Sequence, residues 1–168
     1  MNRHNYIASM VDGALCIALA FVLSRFILFR MPQGGSINFE LAPLILLTYK
    51  RGFKWGIIFG ALLGVLKILF GGYFMNVIQV LLDYPLAFAC IGFAAIRPKI
   101  LGLIVAMIGT ITCSVISGVV FFAEFAPEGQ NPFIYSLVYN TPVLGAKYIL
   151  SGITALLIWK YLEKILRQ

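Results

Sequence analysis

The stretch from Ile100 to Phe122 carries no charged side chain, and it is one of several apolar runs separated by short polar breaks. About twenty apolar residues are enough to cross the ~30 Å hydrocarbon core of a bilayer as a helix. In hydrocarbon every backbone N–H and C=O must find its partner inside the chain, so repeated runs of this length point to a bundle of membrane helices. Composition agrees: 61% of the 168 residues are AVILMFWYC and 11% are charged, against roughly 45–50% apolar and about 25% charged in soluble domains. A domain of this size in water still exposes about a third of its surface, more than these few polar residues can cover. Soluble enzymes, disordered tails and nucleic-acid-binding domains are excluded.

The apolar runs and their punctuation predict an all-α integral membrane protein, a bundle of six transmembrane helices in a single domain over residues 1–168. The spans are Ala8–Phe29, Leu41–Tyr49, Trp55–Phe70, Met75–Ile96, Ile100–Phe122 and Tyr135–Trp159. The second has about half the usual spanning length, so it must tilt, hide among its neighbours or extend into Ser36–Glu40. Lys160–Arg167 continues the last helix as an amphipathic end. The N-terminus, interrupted by Asp12 and Gly13, is not a cleavable signal, and the first helix is expected to stay. Cys16, Cys90 and Cys113 all lie in apolar runs and read as packing residues, without disulfide or metal spacing.

The net charge of +7 reflects topology and lipid contact rather than a nucleic-acid partner. Nine of the 13 basic residues flank one set of helix ends, from Arg3 through Lys50, Arg51 and Lys54, Arg97 and Lys99, to Lys160, Lys164 and Arg167. Arg25 and Arg30 flank the other set. The positive-inside rule then puts both termini in the cytoplasm, with the loops beginning at Met31, Gly71 and Ala123 outside.

Catalytic constellations are absent. The single histidine is His4, and there is no Walker A, HExxH or GxSxG sequence, so the chain does not hydrolyse ATP itself. Asp83, in Leu81-Leu82-Asp83-Tyr84-Pro85, is a carboxylate inside an apolar span, which is expensive and marks a functional site by default. The plain alternative is a structural ion pair with Lys67 or Lys147. Tyr135, Tyr139 and Asn140 can share a helix face, with Pro142 loosening the backbone nearby; interfacial tyrosines are the alternative, and the stronger one for Tyr139. Tyr73, Phe74, Tyr84, Phe121, Phe122, Phe125 and Phe133 crowd the outer ends. An aromatic belt explains most of them, but rings beside one acid also suit a flat cationic ligand entering from outside. The Gly56-xxx-Gly60-xxx-Gly64 spacing reads as packing within the bundle. Ala14 and Ala18 form a similar small-residue face, widened by Gly13 and Ala20.

Several ordered motifs carry a resemblance beyond composition: Met31-Pro32-Gln33-Gly34-Gly35-Ser36, Tyr49-Lys50-Arg51-Gly52 with Lys54-Trp55-Gly56, Gln79-Val80-Leu81-Leu82-Asp83-Tyr84, Val115-Ile116-Ser117-Gly118-Val119-Val120-Phe121-Phe122, Phe125-Ala126-Pro127-Glu128-Gly129 and Tyr135-Ser136-Leu137-Val138-Tyr139-Asn140. On these the chain resembles the thiamine-specific substrate-binding subunit, or S-component, of energy-coupling factor (ECF) transporters. The resemblance covers nearly the whole chain. It implies a six-helix prokaryotic cell-membrane protein, not an enzyme and without a cofactor, that captures thiamine near its outer face. Its implied partners are a transmembrane coupling subunit and two ATPase subunits.

The resemblance also implies residue roles. Asp83 matches the family's acidic residue that faces the thiazolium. Tyr73, Tyr84, Tyr135 and Asn140 match polar pocket positions, and Phe122 matches a stacking aromatic. Gln33 belongs to the first outward loop, which helps close the pocket, and Ser114 and Gly118 to the fifth span. Ser114 stands four residues before Gly118, where the family usually has histidine, so a thiamine precursor or another vitamin is the alternative ligand. Ala14 and Ala18 match the motif that docks on the coupling subunit. From other classes, the chain is a small intramembrane enzyme using Asp83, or an assembly subunit without a ligand.

Overall fold

The computed structural model describes residues 3–32 and 35–166. Gln33 and Gly34 of the first outward loop, and Arg167 of the basic set, lie outside the described residues. Six helices follow one another: α1 (Arg3–Leu23), α2 (Leu41–Arg51), α3 (Phe53–Leu69), α4 (Val77–Ala95), α5 (Lys99–Phe121) and α6 (Pro132–Leu166). Four of them, α1, α4, α5 and α6, are long and apolar enough to cross a membrane.

The sequence predicts helix as far as Phe29, but α1 stops at Leu23. Residues 28–37 instead form a small antiparallel hairpin, β1 (Phe29–Arg30) against β2 (Ser36–Ile37), with Arg30 opposite Ser36. The chain turns back at Gly35, whose φ of +88° suits a residue without Cβ. Asn38 is fully buried behind the hairpin and reaches the Ser24 carbonyl and the Ser36 hydroxyl, which ties β2 to the end of α1.

Helix α2 has 11 residues, eight of them buried. At 1.5 Å per residue it reaches about 16 Å, roughly half the hydrocarbon thickness. Of the three ways to accommodate a short span, the fold uses burial among neighbours, since residues 36–37 are strand rather than helix. Leu44, Ile45 and Leu47 form the core with Leu63 of α3, Ile91 of α4 and Tyr148 and Ala155 of α6.

The glycines of α3 pack inside the bundle. A Cβ at Gly60 or Gly64 would run into the backbone of α4 at Phe88 or Tyr84, and one at Gly56 into Gly92. Small residues thus let α3 and α4 approach backbone to backbone. Gly13 and Ala20 are also buried, Gly13 against the Phe59 ring. The sequence predicts that they widen the Ala14–Ala18 face; in the fold they do not, because they are buried on another side of α1 while Ala14 and Ala18 are exposed.

The basic end of the bundle is partly neutralised. Asp12 of α1 pairs with Lys50 and Arg51 of α2 at 2.8 and 2.7 Å. Glu163 of α6 pairs with Lys99 of α5 at 3.0 Å and also accepts from the Trp159 indole. Helix α6 runs unbroken through Pro142, so the loosening expected there does not interrupt it.

Candidate functional site

At the hairpin end, all six helices and the hairpin contribute to the lining of a cavity of about 500 Å³. Its position follows from a local irregularity in α4. Pro85 has no N–H to donate, and the turn around it, Leu82–Leu86, widens into a π-turn. The wide turn carries Asp83 and Tyr84, both of which line the cavity.

Asp83 is held from its own helix by Gln79, which also holds the preceding loop. The Gln79 amide donates to Asp83 Oδ2 at 2.6 Å and to the Tyr73 carbonyl at 3.4 Å, while its oxygen accepts from the Met75 N–H at 3.1 Å. Tyr84 Oη accepts from the Tyr73 N–H at 2.7 Å. One buried amide and one phenol therefore strap loop 71–76 onto the acid-bearing turn. Gln79 is 1% exposed; it stands in one of the sequence motifs but not among the expected site residues.

The ion pair weighed for Asp83 is not formed. Lys67 and Lys147 both go to Glu40, at 2.6 Å from Oε2 and Oε1 respectively. Glu40 is fully buried at the start of α2. Asp83 has no cationic partner among the described residues, and it is not the only carboxylate inside the bundle. Glu40 gives no signal in the sequence because it borders a run too short to count as a normal span. Its partners lie 27 and 107 positions away.

Of the residues expected in the site, Tyr73, Asp83, Tyr84, Ser114, Gly118, Phe122, Tyr135 and Asn140 all line this one cavity. Gln33 lies outside the described residues, and its neighbours Met31 and Gly35 line the mouth. Phe122 stands 5.9 Å from the Tyr73 ring and 6.0 Å from Phe125, centroid to centroid. Tyr139 lines the cavity as well, its ring 5.9 Å from that of Tyr135. Phe74 and Phe133 are 63% and 52% exposed, as a lipid-facing belt requires.

Gly118 has a packing reason. A Cβ there would strike the Ser136 hydroxyl, which donates to the Val115 carbonyl at 3.2 Å. This close crossing of α5 and α6 also sets Asn140, whose amide donates to the Ser136 carbonyl at 2.9 Å. Deeper in, Thr110 of α5 bonds the Ala87 carbonyl at 2.9 Å and the Tyr148 phenol at 2.7 Å. With Lys67, Phe88, Ile91 and Lys147 these residues make the floor. The arrangement offers an unpaired acid between aromatic rings near the mouth and an ammonium-bearing floor.

Comparison with known proteins bears on the same chain. A family model described as thiamine transporter protein (Thia_YuaJ) matches residues 10–167. The thiamine transporter ThiT of Bacillus subtilis is 31% identical over 189 aligned positions, covering 100% of this chain and 98% of that protein. The thiamine transporter ThiT of Lacticaseibacillus paracasei is 27% identical over 162 positions, covering 83% and 81%. Among solved structures, ThiT from Listeria monocytogenes superposes with a TM-score of 0.84 at 23% identity, over 95% of this chain and 97% of that one. The S component of a bacterial ECF transporter superposes with a TM-score of 0.69 at 21% identity, over 97% and 99%. At these identities the two structures speak for a shared fold.

Proposed function

The chain belongs to the thiamine transporter protein family, and on that premise we propose that it is the thiamine-binding subunit of an ECF-type uptake transporter. It is a multi-pass membrane protein that captures the vitamin, while a coupling subunit and two ATPase subunits supply the energy. The observation that carries this reading is Asp83: a partly buried carboxylate without a cationic partner among the described residues, in a cavity edged by Tyr73, Tyr84 and Phe122. A flat cation complements such a site, because it meets both the charge and the ring faces.

In this reading the thiazolium ring faces Asp83 and stacks near Phe122, with Tyr135 and Asn140 supplying polar contacts. Ser114 and Gly118 leave room along α5. The hairpin carrying Arg30, Met31 and Gly35 closes over the bound vitamin. The basic end of the bundle faces the cytoplasm, so both termini are inside and the hairpin is outside. The exposed Ala14–Ala18 face of α1 receives a helix of the coupling subunit, since small side chains let backbones approach.

The test is Asp83→Asn, which keeps the shape and removes the charge. Two unit charges about 4 Å apart gain roughly 4 kcal/mol at an effective dielectric near 20. Desolvation offsets part of this, leaving about 2–3 kcal/mol, or roughly 30- to 150-fold in Kd. Trp55 and Trp159 do not line the cavity, so calorimetry on the detergent-purified protein is the suitable readout. Thiamine should weaken by about that factor and a neutral pyrimidine fragment much less. Equal losses for both ligands make Asp83 structural; absence of thiamine binding by the wild type overturns the function.

A further inference from the structure

The floor of the cavity carries more positive charge than a site for a bare cation can use. Five charged residues line the cavity; Asp83 is acidic, and Arg25, Arg30, Lys67 and Lys147 are basic. Like charges oppose the entry of a cation. Glu40, behind the lining, answers two ammonium groups with one carboxylate, which leaves one net positive charge. The cluster is shielded: Glu40 is 0% exposed, and the Lys147 and Lys67 side chains are 8% and 22% exposed. Each ammonium has three N–H donors, and Glu40 takes one from each. The donors that remain belong to side chains lining the cavity. A spare charge with unused donors in a shielded place is completed by an oxyanion, which brings negative charge and several acceptors at once.

The spacing fits a ligand with two different ends. Lys147 lies seven residues beyond Asn140 on α6, about 10 Å along the axis at 1.5 Å per residue. We infer that Lys67 and Lys147, positioned by Glu40, form an anion subsite at the inner end of the cavity that takes a phosphate-type oxyanion. The oxyanion is either a phosphate ester on the cationic ligand or free inorganic phosphate. This rests on the proposed capture of thiamine only for the identity of the cationic half.

The experiment compares thiamine with thiamine monophosphate by calorimetry, on the wild type and on Lys67→Met. That variant leaves the Glu40–Lys147 pair in place and removes the spare charge. Lys147→Met leaves the Glu40–Lys67 pair and must give the same result. The monophosphate is expected to weaken about 10-fold or more, while thiamine changes by less than about 3-fold. A second arm melts the ligand-free protein in phosphate and in chloride at equal ionic strength; a phosphate-dependent rise in Tm in the wild type should vanish in both variants. A loss selective for the ester alone assigns the subsite to the ligand's own phosphate. A melting shift alone assigns it to free phosphate. If neither appears, the lysines serve packing only and the inference fails. Wild-type protein that binds no thiamine refutes the proposed function instead, and the melting arm still decides the subsite.

Discussion

Replacing Glu40 by glutamine strands two ammonium groups inside the bundle. Each lysine stands 2.6 Å from a different oxygen of the carboxylate. At that separation and an effective dielectric near 20, each contact is worth roughly 6 kcal/mol before desolvation. Desolvation cancels much of it, but breaking a buried pair by removing one partner costs about 3–5 kcal/mol, because the other charge stays buried. Here two like charges remain, so the upper part of that range applies. For a chain of 150–250 residues each kcal/mol moves Tm by about 2–4 °C, and Glu40→Gln should lower Tm by about 8–20 °C. Cys16, Cys90 and Cys113 are free and partly buried, so a thiol-reactive dye reports the transition in detergent. Lys67→Met should cost clearly less, since the Glu40–Lys147 pair survives. Adding Lys67→Met to Glu40→Gln should restore part of the loss by removing the repulsion between the two lysines. Melting of Glu40→Gln within about 2 °C of the wild type, or a double variant no more stable than Glu40→Gln alone, would refute the electrostatic account.

Two further outcomes can be checked in cells. Ala14→Trp combined with Ala18→Trp should abolish uptake while leaving vitamin binding to the isolated subunit intact, because both positions are exposed on α1; surviving uptake would exclude that face as the interface. In a background lacking the native cysteines, Lys164→Cys should resist a membrane-impermeant label in intact cells, whereas Glu128→Cys should react. The reverse pattern would invert the assigned sidedness.

What could be read ahead of the structure depended on how far apart the deciding residues lie. Apolar runs gave the six helices because hydrophobic length is a local property. The start of α5 was legible to within a residue, since Pro98 marks it. The end of α1 was not: residues 24–30 are apolar enough to continue a helix, and only their pairing with Ser36 and Ile37 turns them into a hairpin. Asp83 was visible as a charge in an apolar run. That it lacks a lysine partner could not be, because Lys67, Lys147 and Glu40 come from three separate segments that meet only in the fold; Gln79, four residues before Asp83 on the same helix, was within local reach. Nothing local distinguishes Lys67 with Asp83 from Lys67 with Glu40. The side of α1 that holds Gly13 and Ala20 was likewise assigned correctly only by their burial, since small residues on both faces of one helix give no directional signal.

The brevity of α2 bears on how the chain is made. A helix reaching about 16 Å cannot satisfy a ~30 Å hydrocarbon layer alone, and eight of its 11 residues are covered by protein. Much of that cover comes from α6, which leaves the ribosome after α1 to α5 and also brings Lys147 to Glu40. During synthesis α2 must therefore wait, with an acidic residue and a stunted helix still uncovered, until α6 inserts. The floor of the cavity is finished at that moment, so a chain shortened before α6 lacks a stable second helix as well as a binding site.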